Sequence, residues 1–156
     1  MSNLEIKLLT DRREIDRLYN DPYISRTGHD HWDAKFIESD HVRYFGALVD
    51  GNLVGAFLVI NSGFIELDIH SLLTKNALFQ SRKLGEMIIA KLFEKNEIAR
   101  ITAYIVEGFE STKNYCLKLG FVDEGTRRNA CQKNGKLIGV YTLGMTREDW
   151  NKKWAL

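Results

Sequence analysis

Three stretches in the last third of the chain decide its reading: TKNYCLKLGF (112–121), EGTRR (124–128) and YTLGMTREDW (141–150). The first predicts a short helix over 112–119, stopped by Gly120, since a residue without a Cβ takes the left-handed conformation that ends helices. A strand over 121–131 then pairs with 137–145 across Lys133-Asn134-Gly135-Lys136, whose Asn-Gly pair is a strong hairpin signal. Thr146 caps a last helical turn, where Glu148 and Asp149 suit the positive end of the helix dipole.

Working back toward the N-terminus, RITAYIV (100–106) reads as a strand. Before it Leu84, Met87, Ile88, Lys91 and Leu92 lie on or beside one face of a long helix that follows Thr74 and runs to about Lys95. Two apolar stretches, 44–49 and 53–60, flank Asp50-Gly51-Asn52 and predict a tight hairpin. Asn61-Ser62-Gly63 turns the chain again into a third strand over 64–73. At the start, Leu4, Ile6 and Leu8 alternate as a strand. Thr10 or Asp11 then caps a helix whose apolar face is Ile15, Leu18 and Tyr19. The segment 20–33 holds the only proline, Pro22, with Gly28 and the string GHDHWD, and reads as a loop leading into a short helix over 32–37.

The order is strand, two helices, three strands, long helix, strand, helix, two strands. It implies one mixed sheet with helices on its faces. At 156 residues the chain fits a single domain, 1–156. A net charge of +1 gives no general attraction to nucleic acid or anionic membrane. Lys and Arg at 127, 128, 133 and 136 gather on one hairpin, where a solvated face explains them. No apolar run reaches the ~20 residues of a membrane span, and MSNLEIKLLTDRREID has neither signal-peptide nor transit-peptide character, so a cytoplasmic protein is expected. Cys116 and Cys131 lack metal spacing and read as reduced thiols.

These stretches and this order resemble the GNAT-type N-acetyltransferases over essentially the whole chain. The resemblance implies an α/β (α+β) fold: a mostly antiparallel sheet, helices on both faces, and a splay between two central parallel strands near 64–73 and 100–106. It implies acetyl-CoA as cofactor, its pantetheine arm in the splay beside Leu72, and no metal. The family signature Q/R-x-x-G-x-G/A matches Gln80-Ser81-Arg82-Lys83-Leu84-Gly85, with Gln80 and Gly85 in place and Lys83 where the inner glycine belongs. Such a site holds a pyrophosphate on free N–H groups at a helix start. Lys83 either offers its N–H and ammonium to phosphate or fills the pocket. Phe109 stands where the family commonly has an asparagine, and Cys116 where it often has a tyrosine acid, with Tyr115 one residue away.

Transfer from a thioester needs a neutral amine, a base and an acid. Glu66, Asp68 and His70 recur at period two and share one face of the third strand, the opposite face carrying Ile65, Leu67 and Ile69. Glu66 is the first choice for base, because the family often uses a glutamate there, with Asp68 and His70 as alternates. Tyr115 is the candidate acid. The competing explanation of the row is partial solvation near the splay, or an Asp68–His70 pair. A metal site built from these residues with His29 and His31 is weaker still. The functions implied are transfer of an acetyl group to an amine, on a small molecule or a protein, or a GNAT-fold protein of reduced catalysis acting on a protein partner. The second reading draws on a resemblance to divergent GNAT relatives of tailed bacteriophages, carried by Asp68-Ile69-His70 and Asn134-Gly135. Some of those resemble head-assembly accessory proteins, and a phage-encoded chain is expected in the host cytoplasm.

Overall fold

The computed structural model describes residues 1–32 and 34–154. Its elements run β1 (Leu4–Leu9), α1 (Arg12–Tyr19), α2 (Pro22–Ser25), β2 (Val42–Val49), β3 (Asn52–Asn61) and β4 (Glu66–Leu73). A 3-10 turn (Lys75–Ala77) then leads to α3 (Ser81–Phe93), β5 (Arg100–Val106), α4 (Glu110–Leu119), β6 (Val122–Lys133), β7 (Lys136–Thr146) and α5 (Arg147–Trp154). The strands form one sheet in the order β1-β2-β3-β4-β5-β7-β6. Every neighbouring pair is antiparallel except β4 and β5.

Local chemistry explains most boundaries. The Asp11 carboxylate accepts from the Arg13 N–H at 2.9 Å and starts α1. Both hairpins turn on two residues of positive φ, Asp50 (50°) with Gly51 (81°) and Asn134 (52°) with Gly135 (78°), whose twist matches that of the strands they join. Gly120 ends α4 at φ 112°. At α5, Asp149 N–H donates to Thr146 Oγ1 and Thr146 N–H donates to Asp149 Oδ2, each at 3.0 Å, a reciprocal cap.

The helix expected over 32–37 is not there: residues 34–37 are irregular, and Asp33 lies outside the described residues. The second helix comes ten residues earlier, at Pro22–Ser25. Asp21 caps it by accepting from Tyr23 N–H (2.9 Å) and Ile24 N–H (3.3 Å), and Pro22 takes the first helical position, where its missing N–H costs nothing. β4 begins at Glu66, two residues later than expected, and Phe64 and Ile65 before it are exposed. The long helix starts only at Ser81, because a 3-10 turn occupies the residues after Thr74.

The sheet separates two apolar layers. Leu84, Ile88, Ile89 and Leu92 of α3, Leu119 of α4 and the partly buried Trp150 of α5 pack on Val59, Leu67, Ile101, Ala103, Leu143 and Met145. On the other face Ile15, Leu18 and Tyr19 of α1 and Ile24 of α2 pack on Tyr44, Ala56, Leu58 and Leu72. The β4–β5 ladder is short, running from Glu66↔Arg100 to Ile69↔Ala103. Beyond it β4 stays paired with β3 to Leu73, and β5 with β7 to Val106. Residues 70–73 and 104–106 thus diverge, with backbone edges facing a gap rather than each other.

Candidate functional site

The gap opens a cavity of about 1020 Å³ that passes from one face of the sheet to the other. On the α3–α4 side its wall includes Ile69, Ser71, Leu73, Ser81, Gly85, Ala103, Tyr115 and Cys116. On the α1–α2 side it includes Tyr19, Tyr23, Trp32, Phe36, His70, Leu72 and Tyr104. The volume is at the upper end of that of ordinary small-molecule sites.

Glu66, Asp68 and His70 share one face of β4, with Leu67 and Ile69 buried on the other, and the register spreads them along the ladder. Glu66 sits at its closed end, where Oε1 accepts from the Thr102 hydroxyl at 3.2 Å. Asp68 comes next; its Oδ1 is buried with no hydrogen-bond partner, and burial raises its carboxyl above the usual range, with Glu66 adding to the effect and the Ser62 hydroxyl and Arg100 offsetting part of it. Of the three, His70 lies where the strands part and lines the cavity. Burial lowers its imidazole below the ordinary value, so it is a neutral acceptor of protons at pH 7. Tyr104, which the sequence reading passed over, follows the same face of β5 into the cavity, and burial raises its phenol, helped by Asp68 and Glu66.

On the other side, α3 begins without a side-chain cap at Gln80, so no side chain at that position occupies the N–H groups of its first turn. Ser81 lines the cavity, and its hydroxyl donates to Leu78 O at 3.0 Å. Arg82 pairs with Glu86 at 3.7 Å. Lys83 is exposed and is not part of the cavity wall, so it does not fill the pocket. Leu84 is fully buried in the core and Leu72 is 6% exposed at the opposite wall. Gly85 has a packing role: a Cβ there meets the Tyr115 hydroxyl and, at 2.9 Å, Leu119 Cδ1. The Tyr115 hydroxyl donates to Ser81 O at 2.7 Å, and burial raises its phenol. The Cys116 thiol, pushed up to about 12 by burial, stays protonated.

The roof comes from the far end of the chain. Asp30 accepts from Asn134 N–H (2.8 Å) and Gly135 N–H (2.9 Å), and its own N–H donates to Gln132 O at 2.8 Å. Lys133 donates to Arg26 O at 3.0 Å and to Gly28 O. The β6–β7 hairpin tip is thereby clasped to loop 26–31, which closes the α1–α2 arm of the cavity. His31 is taken up in this clasp, Nε2 lying 3.2 Å from Gln132 Oε1. Among the described residues no group of three His, Cys, Asp or Glu side chains is placed to hold a metal ion.

No protein-family model matches the chain, and no curated protein sequence matches it. Solved structures do. A spermidine N-acetyltransferase from Vibrio cholerae, in complex with CoA and spermine, superposes with a TM-score of 0.79 at 17% identity, over 94% of this chain and 97% of that one. A protein from Acinetobacter baylyi described as a putative acetyltransferase gives 0.76 at 18% identity, over 95% of both chains. The likeness defines the fold, which is the GNAT fold. Its mixed sheet, with one parallel pair at the centre and helices on both faces, agrees with the architecture expected from sequence.

Proposed function

We propose that the chain is an acyl-CoA-dependent N-acyltransferase that transfers an acetyl group to an amine. The observation that carries this is the gap between β4 and β5, continuous from the uncapped start of α3 to His70. The acetyltransferase neighbours support it, the Vibrio protein in its complex with CoA and spermine above all. The residues fit the cofactor: free N–H groups at Ser81, Arg82 and Lys83 suit a pyrophosphate, and an apolar wall of Ile69, Leu73, Ala103 and Ile105 suits a pantetheine arm. Acetyl-CoA, when bound, supplies a thioester open to attack by a neutral amine. His70, neutral at pH 7, takes the proton of that amine. Glu66, held by Thr102 at the closed end of the ladder, and Asp68 beside it set the field around Tyr104. Tyr115 is the proton donor in the opposite wall for the departing thiolate, its hydroxyl poised on the Ser81 carbonyl.

One observation favours the second reading, a binding or assembly factor of reduced catalysis such as those of tailed-phage heads. The Tyr115 hydroxyl is engaged with Ser81 O, and Phe109 and Cys116 offer no family-type replacement. Calorimetry with acetyl-CoA separates the two. The transferase reading expects one molecule bound per chain with micromolar affinity. Lys83→Gly keeps the backbone N–H and removes only a side chain exposed outside the cavity wall, so it changes that affinity by less than about threefold, a shift smaller than one ordinary hydrogen bond. Native protein that binds nothing at millimolar acetyl-CoA refutes it and leaves the assembly reading.

A further inference from the structure

Three cations stand over two rings of the cavity wall, and one of them, Arg26, lines the cavity itself. Arg26, at the end of α2, holds its guanidinium carbon 4.1 Å from the centre of the Tyr23 ring and 5.7 Å from that of Phe109. Lys75 Nζ lies 5.9 Å from the Tyr23 ring and Lys133 Nζ 5.3 Å from the Phe109 ring. Both rings belong to the cavity wall. Among the described residues none of these three cations has a carboxylate partner. Asp30, the carboxylate whose charge Lys133 feels, spends its oxygens on the Asn134 and Gly135 N–H groups. Glu38 is the single carboxylate among the described residues of the cavity wall.

Three like charges gathered on two rings repel one another; the Arg26 and Gly28 carbonyls and the Asp30 charge offset Lys133 in part, and ring faces offset only about 0.5–1 kcal/mol for each cation at an exposed site. An anion placed among them would remove that repulsion. The same wall carries the rings of Tyr19, Trp32 and Phe36 and the imidazole of His70. One wall therefore combines a cationic cluster, apolar rings and a neutral base.

We infer that the acceptor is an amine joined through an apolar chain to a carboxylate or phosphate, and that Arg26, Lys75 and Lys133 take that anionic end. The inference rests on the transferase reading and adds the class of its substrate. An amine with a second ammonium would bring that charge to the three cations and bind poorly. The same cations could meet the phosphates of the cofactor, so the test must tell the two sources apart.

Three amines of equal chain length serve as probes: 5-aminopentanoate, pentylamine and 1,5-diaminopentane, which differ only in the far end. Turnover with acetyl-CoA is measured for each, and their binding to CoA-loaded protein is read by calorimetry. The carboxylate is expected to exceed the diamine by about tenfold or more in kcat/KM and in affinity, the scale of one charged hydrogen bond. Arg26→Gln removes about that factor for 5-aminopentanoate and leaves pentylamine within about twofold. The variant keeps the clasp, because Lys133 bonds the carbonyl of residue 26 and not its side chain. A preference for the diamine, no binding by any of the three, or an Arg26→Gln variant that ranks them as the native chain does overturns the inference. So does an Arg26→Gln variant that loses affinity for acetyl-CoA but not for acetyl-dephospho-CoA, which would give the cations to the cofactor phosphate. Absence of acetyl-CoA binding to the native chain would instead remove the transferase reading itself.

Discussion

Gly85 falls on the last glycine of a cofactor signature, yet its surroundings give it a different task, and Gly85→Ala tests which one holds. An added methyl meets the Tyr115 hydroxyl and approaches Leu119 Cδ1 to 2.9 Å and Cδ2 to 3.0 Å. Overpacking of this kind destabilises by about 1–3 kcal/mol, and displacing Tyr115 from Ser81 O loses about 1 kcal/mol more. Alanine returns about 1 kcal/mol as a better helix former than glycine. The net is a loss of about 2 kcal/mol, or about 4–8 °C in Tm for a chain of this length. Tyr115→Phe alone loses the hydrogen bond, about 1 kcal/mol. In the double variant the hydroxyl no longer opposes the methyl, so the total stays near 2 kcal/mol instead of 3, a coupling of about 1 kcal/mol. Urea unfolding followed by tryptophan fluorescence gives all four stabilities, with unchanged m values certifying the comparison. Additivity within about 0.3 kcal/mol would refute the contact between α3 and α4 described above.

His70→Gln is expected to lower kcat/KM by about 10²–10⁴-fold while acetyl-CoA binding persists, as for removal of a positioned base. In the native chain the acid limb of the kcat/KM profile falls below pH 6.5, since burial lowers the His70 imidazole; a limb above that value refutes the assignment. The same shift makes the unfolded chain bind a proton first, so this histidine's contribution to stability is full above pH 6.5 and is lost as pH falls through the folded value. Asp68→Asn is expected to stabilise the protein at pH 7. A carboxyl raised by burial is penalised in the folded state above its unfolded value, and the gain fades as pH falls toward the ordinary aspartate range. Urea midpoints at pH 7 and pH 4 measure it, and a variant less stable than the native chain at pH 7 would mean that Ser62 and Arg100 outweigh the burial of the Asp68 carboxylate.

The hairpins, the α4 stop and the α5 cap were legible because each rests on a few adjacent residues, Asp50-Gly51, Asn134-Gly135, Gly120 and Thr146, whose chemistry acts locally. The second helix rests on Asp21-Pro22, a cap followed by a first-turn proline, and a helix of four residues has no apolar period to distinguish it from the loop around it. Period two gave the common face of Glu66, Asp68 and His70, but not which of them reaches the cavity. That depends on the ladder ending at Ile69↔Ala103, a property of two strands 34 positions apart. Tyr104 carried a usable signal: the phase of RITAYIV puts it with Thr102 on the polar face, one residue beyond the last pair of the ladder, as His70 is on β4. No sequence rule joins Arg26 and Lys133, since their meeting is made by a loop and a hairpin tip 107 residues apart.

The short β4–β5 ladder also makes the sheet two leaves on a seam. Four residue pairs join β1 to β4 with β5 to β7, against seven pairs on either side of that line. Where the leaves already part, they can tilt without breaking a hydrogen bond between strands. A long, narrow molecule can therefore thread the sheet by bending it along the seam, with every strand intact and no element unfolded.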